Sequence, residues 1–159
     1  MESVPSDRLL TLRGTLKRIG NFDSSTFEGR LIFQKTVYFL QVFKFDFGYK
    51  FNWYVYGPYS KELADDGFSI TDTNSSKEIK FVNDDFEKRF SVLLAFLGSR
   101  KNDPKWLELL ASIDFLTRSY PNKNKVDILN IIKTKQTYFT ETEFNEAYKY
   151  LQNLGILQM

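Results

Sequence analysis

Residues able to do chemistry gather in two stretches of the chain. The first is Gln34-Lys35-x-x-Tyr38-x-x-Gln41; the second is Tyr54-x-Tyr56-Gly57-Pro58-Tyr59-Ser60. In the first, Lys35 and Tyr38 are three residues apart and Gln34 and Tyr38 four, so on a helix Tyr38 neighbours both. An amine, a phenol and two amides can hydrogen-bond and charge-pair, but they form no nucleophile–base set of recognisable spacing. These residues make either a binding site or the narrow solvated stripe of an amphipathic helix, and the stripe is the plainer reading. In the second stretch, exposed tyrosines beside the backbone donors of a helix start are suited to contact. The competing reading there is an aromatic strand ending in a tight turn.

Histidine and cysteine are both absent. That removes the commonest general base, the usual zinc ligands and any thiolate nucleophile. Asp65-Asp66 with Glu62 nearby is a weak cation signal, and solvated surface is its plainer reading. No catalytic residue, metal site or cofactor is therefore assigned, and a non-enzymatic role is expected, with a metal-assisted enzyme working through carboxylates and hydroxyls as the least favoured alternative. Arg118, Lys123, Lys125, Lys133 and Lys135 face only Asp127 between 118 and 139, a local excess of four (five minus one). Lysines flanking successive helices can hold phosphates, which makes a nucleic-acid interface the alternative to a solvated helix face. No arginine stands on the middle helix to read guanine.

These residues need elements to position them. Leu9, Leu12, Leu16 and Ile19 predict a helix over 7–19, stopped at Gly20-Asn21. Ser25 with Glu28 reads as a capping box opening a largely buried helix to about 43. Alternating aromatics then predict a strand over 49–56, closed by Gly57-Pro58, and a short helix over 61–65. A weak hairpin is expected between Phe68–Ile70 and Ile79–Val82, across the polar loop 72–77. Four further helices follow: 84–97, 104–119 (Asp103-Pro104 start), 124–134 and one from Thr140 stopped by Gly155.

The expected fold is thus mainly α with a small antiparallel β-sheet, an α+β helical domain resembling a winged helix. The 159 residues read as one compact domain, 1–159, divisible at most into helices plus sheet (1–82) and a helical part (83–159). Lys+Arg 22 against Asp+Glu 20, with +1 in each half, gives no basic arm or acidic tail. No apolar run is long enough for a membrane span or a signal peptide. With no cysteine, a cytoplasmic, reducing location is expected.

The run Gln34-Lys35-x-Val37-Tyr38-x-Leu40-Gln41, then Gly48-Tyr49, then Trp53-x-x-Tyr56-Gly57-Pro58-Tyr59-Ser60-x-x-Leu63, resembles the YwgA-type prokaryotic family. That family is similar in turn to the Panacea-domain (SocA-like) antitoxins. Thr36 stands where those antitoxins usually carry leucine, and Tyr59 where a small apolar residue is common. The resemblance implies a compact helical domain with a winged-helix-like part that binds protein or nucleic acid, and no established enzyme activity. The residues taken to meet a protein partner are Lys35, Tyr38, Gln41, Tyr54, Tyr56, Gly57, Pro58, Tyr59 and Ser60. Self-association through the aromatics is a further alternative.

Overall fold

The computed structural model describes residues 7–20, 22–70, 80, 81 and 83–159. From the second helix on, the α-helices start where short polar side chains accept from backbone N–H groups within the first turn. Helix α1 (Asp7–Ile19) buries Leu12, Leu16 and Ile19. Helix α2 (Phe27–Val42) is capped by Thr26, which accepts from Gly29 N. Ser25, the expected cap, instead bonds the Asp23 carboxylate with both its N–H and its hydroxyl, so the helix begins one residue later. Ser60 caps α3 (Lys61–Ser69), Asn83 caps α4 (Asp84–Leu97) and Asp103 caps α5 (Pro104–Ser119). Asn124/Asp127 and Thr140/Glu143 close reciprocal capping boxes on α6 (Lys125–Lys135) and α7 (Glu141–Asn153).

The expected strand over 49–56 is found only in part. The odd-position alternation does bury Phe45, Phe47 and Tyr49, but pairing is confined to β1 (Asn52–Tyr54) and β2 (Gly57–Tyr59). These are antiparallel with Asn52 opposite Tyr59, Trp53 opposite Pro58 and Tyr54 opposite Gly57. Gly57-Pro58 therefore does not end the sheet; it is the returning strand of a hairpin whose two-residue loop is Val55-Tyr56. Gly57 has φ +86, which glycine adopts freely, and this lets the chain reverse.

A second difference lies at Phe68–Ile70. No strand forms there, because α3 continues to Ser69. Leu63 and Ile70 are seven residues apart, two helical turns, so both reach the core. Half of the proposed pairing partner (79 and 82), together with the loop 72–77, lies outside the described residues.

The core is built around α2 and α5, with α7 packed on the far side of α5 and the hairpin seated on both α2 and α5. Phe39 meets Phe96 edge-on at 4.9 Å between ring centres, and Phe96 stacks on Tyr150, which meets Trp106 at 5.5 Å. This aromatic chain ties α2, α4, α5 and α7 together and gains beyond area burial from its edge-on and stacked contacts. The molecule is thus mainly α with one small antiparallel sheet.

Candidate functional site

From Gln34 onward the polar residues of α2 point inward. Gln34 Nε2 donates to the Ser60 carbonyl at 2.9 Å, while Ser60 N donates to Gln34 Oε1 at 3.0 Å. Two turns on, Gln41 repeats the arrangement with Tyr49: Nε2 to the carbonyl at 2.9 Å and Tyr49 N to Oε1 at 2.9 Å. Each amide thus serves one residue as a neighbouring strand would. Between them Lys35, only 2% exposed, donates from Nζ to the Pro58 carbonyl at 2.5 Å. Helix α2 therefore satisfies the backbone of the segment lying across it, and the reading of these residues as a solvated stripe is overturned. A buried peptide group needs a partner, and these side chains supply one where no strand is available.

Burial sets the electrostatics. Desolvation lowers the Lys35 ammonium to a pKa of about 7, with the carboxylate of Glu108 acting weakly the other way. Glu108, on α5, is itself raised by burial although Tyr138 and Gln136 donate to it. Gln136 Nε2 reaches Glu108 at 2.7 Å and Ser112 Oγ at 3.1 Å, and the Tyr138 hydroxyl donates to Glu108 as well. This network lies directly behind the hairpin: a Cβ on Gly57 would stand 2.3 Å from Ser112 Oγ. One turn further along α2, the Tyr38 hydroxyl donates to the buried Asp114 carboxylate at 2.5 Å. Arg118 Nε donates to the same oxygen at 2.8 Å and holds the Ile156 carbonyl at 2.9 Å. Burial raises Asp114 against the opposing pull of Arg118.

In front of the hairpin lies a groove of about 500 Å³ between the start of α2, the hairpin and α3. Its walls are mostly aromatic and aliphatic. Phe27, Tyr54, Val55, Tyr56 and Phe68 line it and remain exposed, Val55 and Phe68 at 72% each. Phe27 meets Tyr56 edge-on at 4.9 Å, and Tyr54 meets Tyr59 at 5.2 Å. Lys35 belongs to the wall, and the exposed Arg30, Lys61 and Asp65 are the other charged residues there.

The structure thus divides the residues expected to meet a partner. Tyr54 and Tyr56 are exposed and Tyr59 half-buried. Lys35, Tyr38, Gly57, Pro58 and Ser60 are buried, and Gln41 is half-buried and bonded to Tyr49. These six differ from the exposed surface expected of them: the hairpin folds back over α2, where Lys35 holds the Pro58 carbonyl, Gln41 holds Tyr49 and Tyr38 turns to Asp114. Of the basic residues expected at a nucleic-acid interface, Arg118 is turned inward to Asp114 and Lys133 pairs with Glu141 at 3.0 Å. Lys123 and Lys125 are exposed, lying over Tyr120 and Tyr148, and Lys135 is exposed at the end of α6. Glu62 and Asp66 both face Arg8, at 2.6 and 2.9 Å. Among the described residues no three carboxylates come together as metal ligands would, and no helix is long and apolar enough to cross a membrane.

Glu108, Ser112, Asp114, Gln136 and Tyr138 were missed by sequence reasoning. The available signal was a set of polar residues in the apolar phase of α5. Glu108 and Ser112 are four apart beside Leu109 and Ile113, which a wholly solvated polar face would not place there.

The chain is 28% identical over 151 residues to "Uncharacterized protein YwgA" of Bacillus subtilis (strain 168). The match spans 83% of this chain and 90% of that protein. It supports the YwgA-type resemblance. It covers far more of the chain than the motif-bearing stretch 34–63. No family model matches the chain, and no solved structure does.

Proposed function

We propose that this protein is a non-enzymatic protein-interaction module, antitoxin-like or regulatory in role, that engages its partner with the tip of the β1–β2 hairpin. One observation carries the reading: Phe27, Tyr54, Val55, Tyr56 and Phe68 are large apolar side chains left exposed around one groove. Scattered exposed hydrophobes are ordinary, but a contiguous aromatic rim is the usual mark of a contact surface. The mechanism is occlusion. The aromatic rim buries against the partner, and the Gln34, Lys35 and Gly57 contacts hold the tip rigid, so little ordering entropy is lost on docking. Arg30 and Lys61 beside the rim favour a partner whose contact segment is apolar and flanked by acidic residues.

A cytoplasmic location, a winged-helix-like arrangement of α5–α7 and kinship with the SocA-like antitoxins fit this reading. The test is a pull-down from the native host with and without nuclease, using the wild-type chain beside a Tyr54→Ser/Tyr56→Ser variant. A stoichiometric, nuclease-resistant protein captured by the wild type and lost in the variant is the expected result. A partner retained in full by the folded variant would sink the reading. If only nuclease-sensitive material is captured, the exposed Lys123, Lys125 and Lys135 become the surface to pursue.

A further inference from the structure

Lys35 is an unusual residue to bury at the wall of an apolar groove. Its ammonium has three N–H donors, and one is used, on the Pro58 carbonyl. Gln34, the other polar residue deep in the wall, is held at both its nitrogen and its oxygen by Ser60. The carboxylate that acts on Lys35, Glu108, lies on the α5 side and already accepts from Gln136 and Tyr138. The groove side therefore offers Lys35 no compensating charge: its charged residues are Arg30, Lys35 and Lys61 against Asp65 alone. A buried cation whose acting carboxylate, Glu108, is already shared with Gln136 and Tyr138 remains costly, and an anion placed beside it would relieve that cost while meeting the unused donors. The size and lining of the groove are those of pockets that take small ligands: a few hundred Å³, mostly apolar, with few polar groups.

We infer that the groove binds a small amphipathic anion, an alkyl or aryl carboxylate, whose apolar body lies among Phe33, Phe68 and the hairpin tip and whose carboxylate is met by Lys35. Arg30 and Lys61 add long-range attraction at the solvent side, and Asp65 opposes them. The geometry distinguishes this ligand from a neutral apolar one, which would leave Lys35 as uncompensated as it is in the empty groove. The ligand site shares Phe68 and the hairpin tip with the docking surface, but its test uses a small probe with no partner present, so the two readings fail separately.

The probes are phenylbutyrate and its neutral counterpart phenylbutanol, titrated calorimetrically into the full chain just below neutral pH. Phenylbutyrate is expected to bind at least about tenfold more tightly, the scale of one charge-assisted hydrogen bond. In Lys35→Met, which keeps an unbranched apolar stem one atom shorter, the preference should fall to about threefold or less while phenylbutanol binding is unchanged. Circular dichroism checks that the variant folds. Ala64→Trp, which adds bulk at the α3 wall of the groove and leaves Lys35 in the sequence, should abolish binding of both probes and serves if Lys35→Met does not fold. Equal affinity for acid and alcohol, an acid preference surviving in Lys35→Met, binding surviving in Ala64→Trp, or no binding of either probe would each overturn the proposal.

Discussion

Gln34 and Ser60 form a closed pair, the side-chain amide of one reading the backbone N–H and C=O of the other at 3.0 and 2.9 Å in the interior. The same Ser60 caps α3 through its hydroxyl. One glutamine thus fixes where the hairpin ends and where the next helix begins. Gln34→Ala leaves the buried Ser60 N–H without its partner, while the Ser60 carbonyl keeps Ala64 N at 3.1 Å; it should cost about 2 kcal/mol in urea unfolding, and Gln41→Ala, at a half-buried site, about half as much.

Gly57→Ala combines two penalties: a left-handed backbone and a Cβ placed 2.3 Å from Ser112 Oγ. A loss of about 3 kcal/mol is expected. The steric part is separable. In a Ser112→Ala background the nearest obstacle recedes to the Ser112 Cβ position at 3.5 Å, so the Gly57→Ala cost should drop by about 1 kcal/mol or more. A double-mutant cycle reads this directly, and strict additivity would contradict the contact.

Stability should depend on pH through Lys35. The folded lysine titrates at about 7, well below an ordinary lysine. Between pH 7 and about 10 the unfolded chain therefore holds a proton that the folded chain has released. The chain that binds more protons is disfavoured as pH rises, so unfolding free energy should increase with pH there, by at most about 1.4 kcal/mol per unit. Toward the top of this range the tyrosines raised by burial, Tyr38, Tyr49 and Tyr138, act oppositely. The difference between wild type and Lys35→Met isolates the lysine. A difference that stays constant from pH 7 to about 9.5 would refute the assignment.

Asp114 holds Tyr38 and Arg118 together, and Arg118 holds the Ile156 carbonyl. Asp114→Asn removes the charge that faces Arg118 in a largely buried setting and should cost about 3 kcal/mol. Hydrogen exchange should show the loss concentrated at the end of α5 and around residues 156–158, with α1 little affected.

Tyr54→Ser and Tyr56→Ser should each change stability by less than about 1 kcal/mol, because both side chains are exposed. Thermal denaturation checks this, and the result matters because it makes the double variant a clean probe of docking.

Much of the architecture was legible in local chemistry. The ends of α1, the Asp103-Pro104 start of α5 and the capping boxes of α6 and α7 stand where their residues predicted. Each depends on groups within about one turn of one another, so spacing along the chain is enough. Where two local partners compete, local reasoning slips by a residue, as when Asp23 takes Ser25 and leaves the cap to Thr26.

What the tertiary structure decided is which polar groups face inward. Lys35 meets a carbonyl 23 residues away, Tyr38 a carboxylate 76 away and Glu108 an amide 28 away. A helix stripe of Gln, Lys and Tyr looks the same on paper whether it faces water or a returning segment of chain. Water satisfies such groups at no geometric cost, so nothing in their spacing records the difference. The hairpin's fold across α2 removed the water and left unpaired peptide groups, and these polar side chains are the partners that the buried backbone then required.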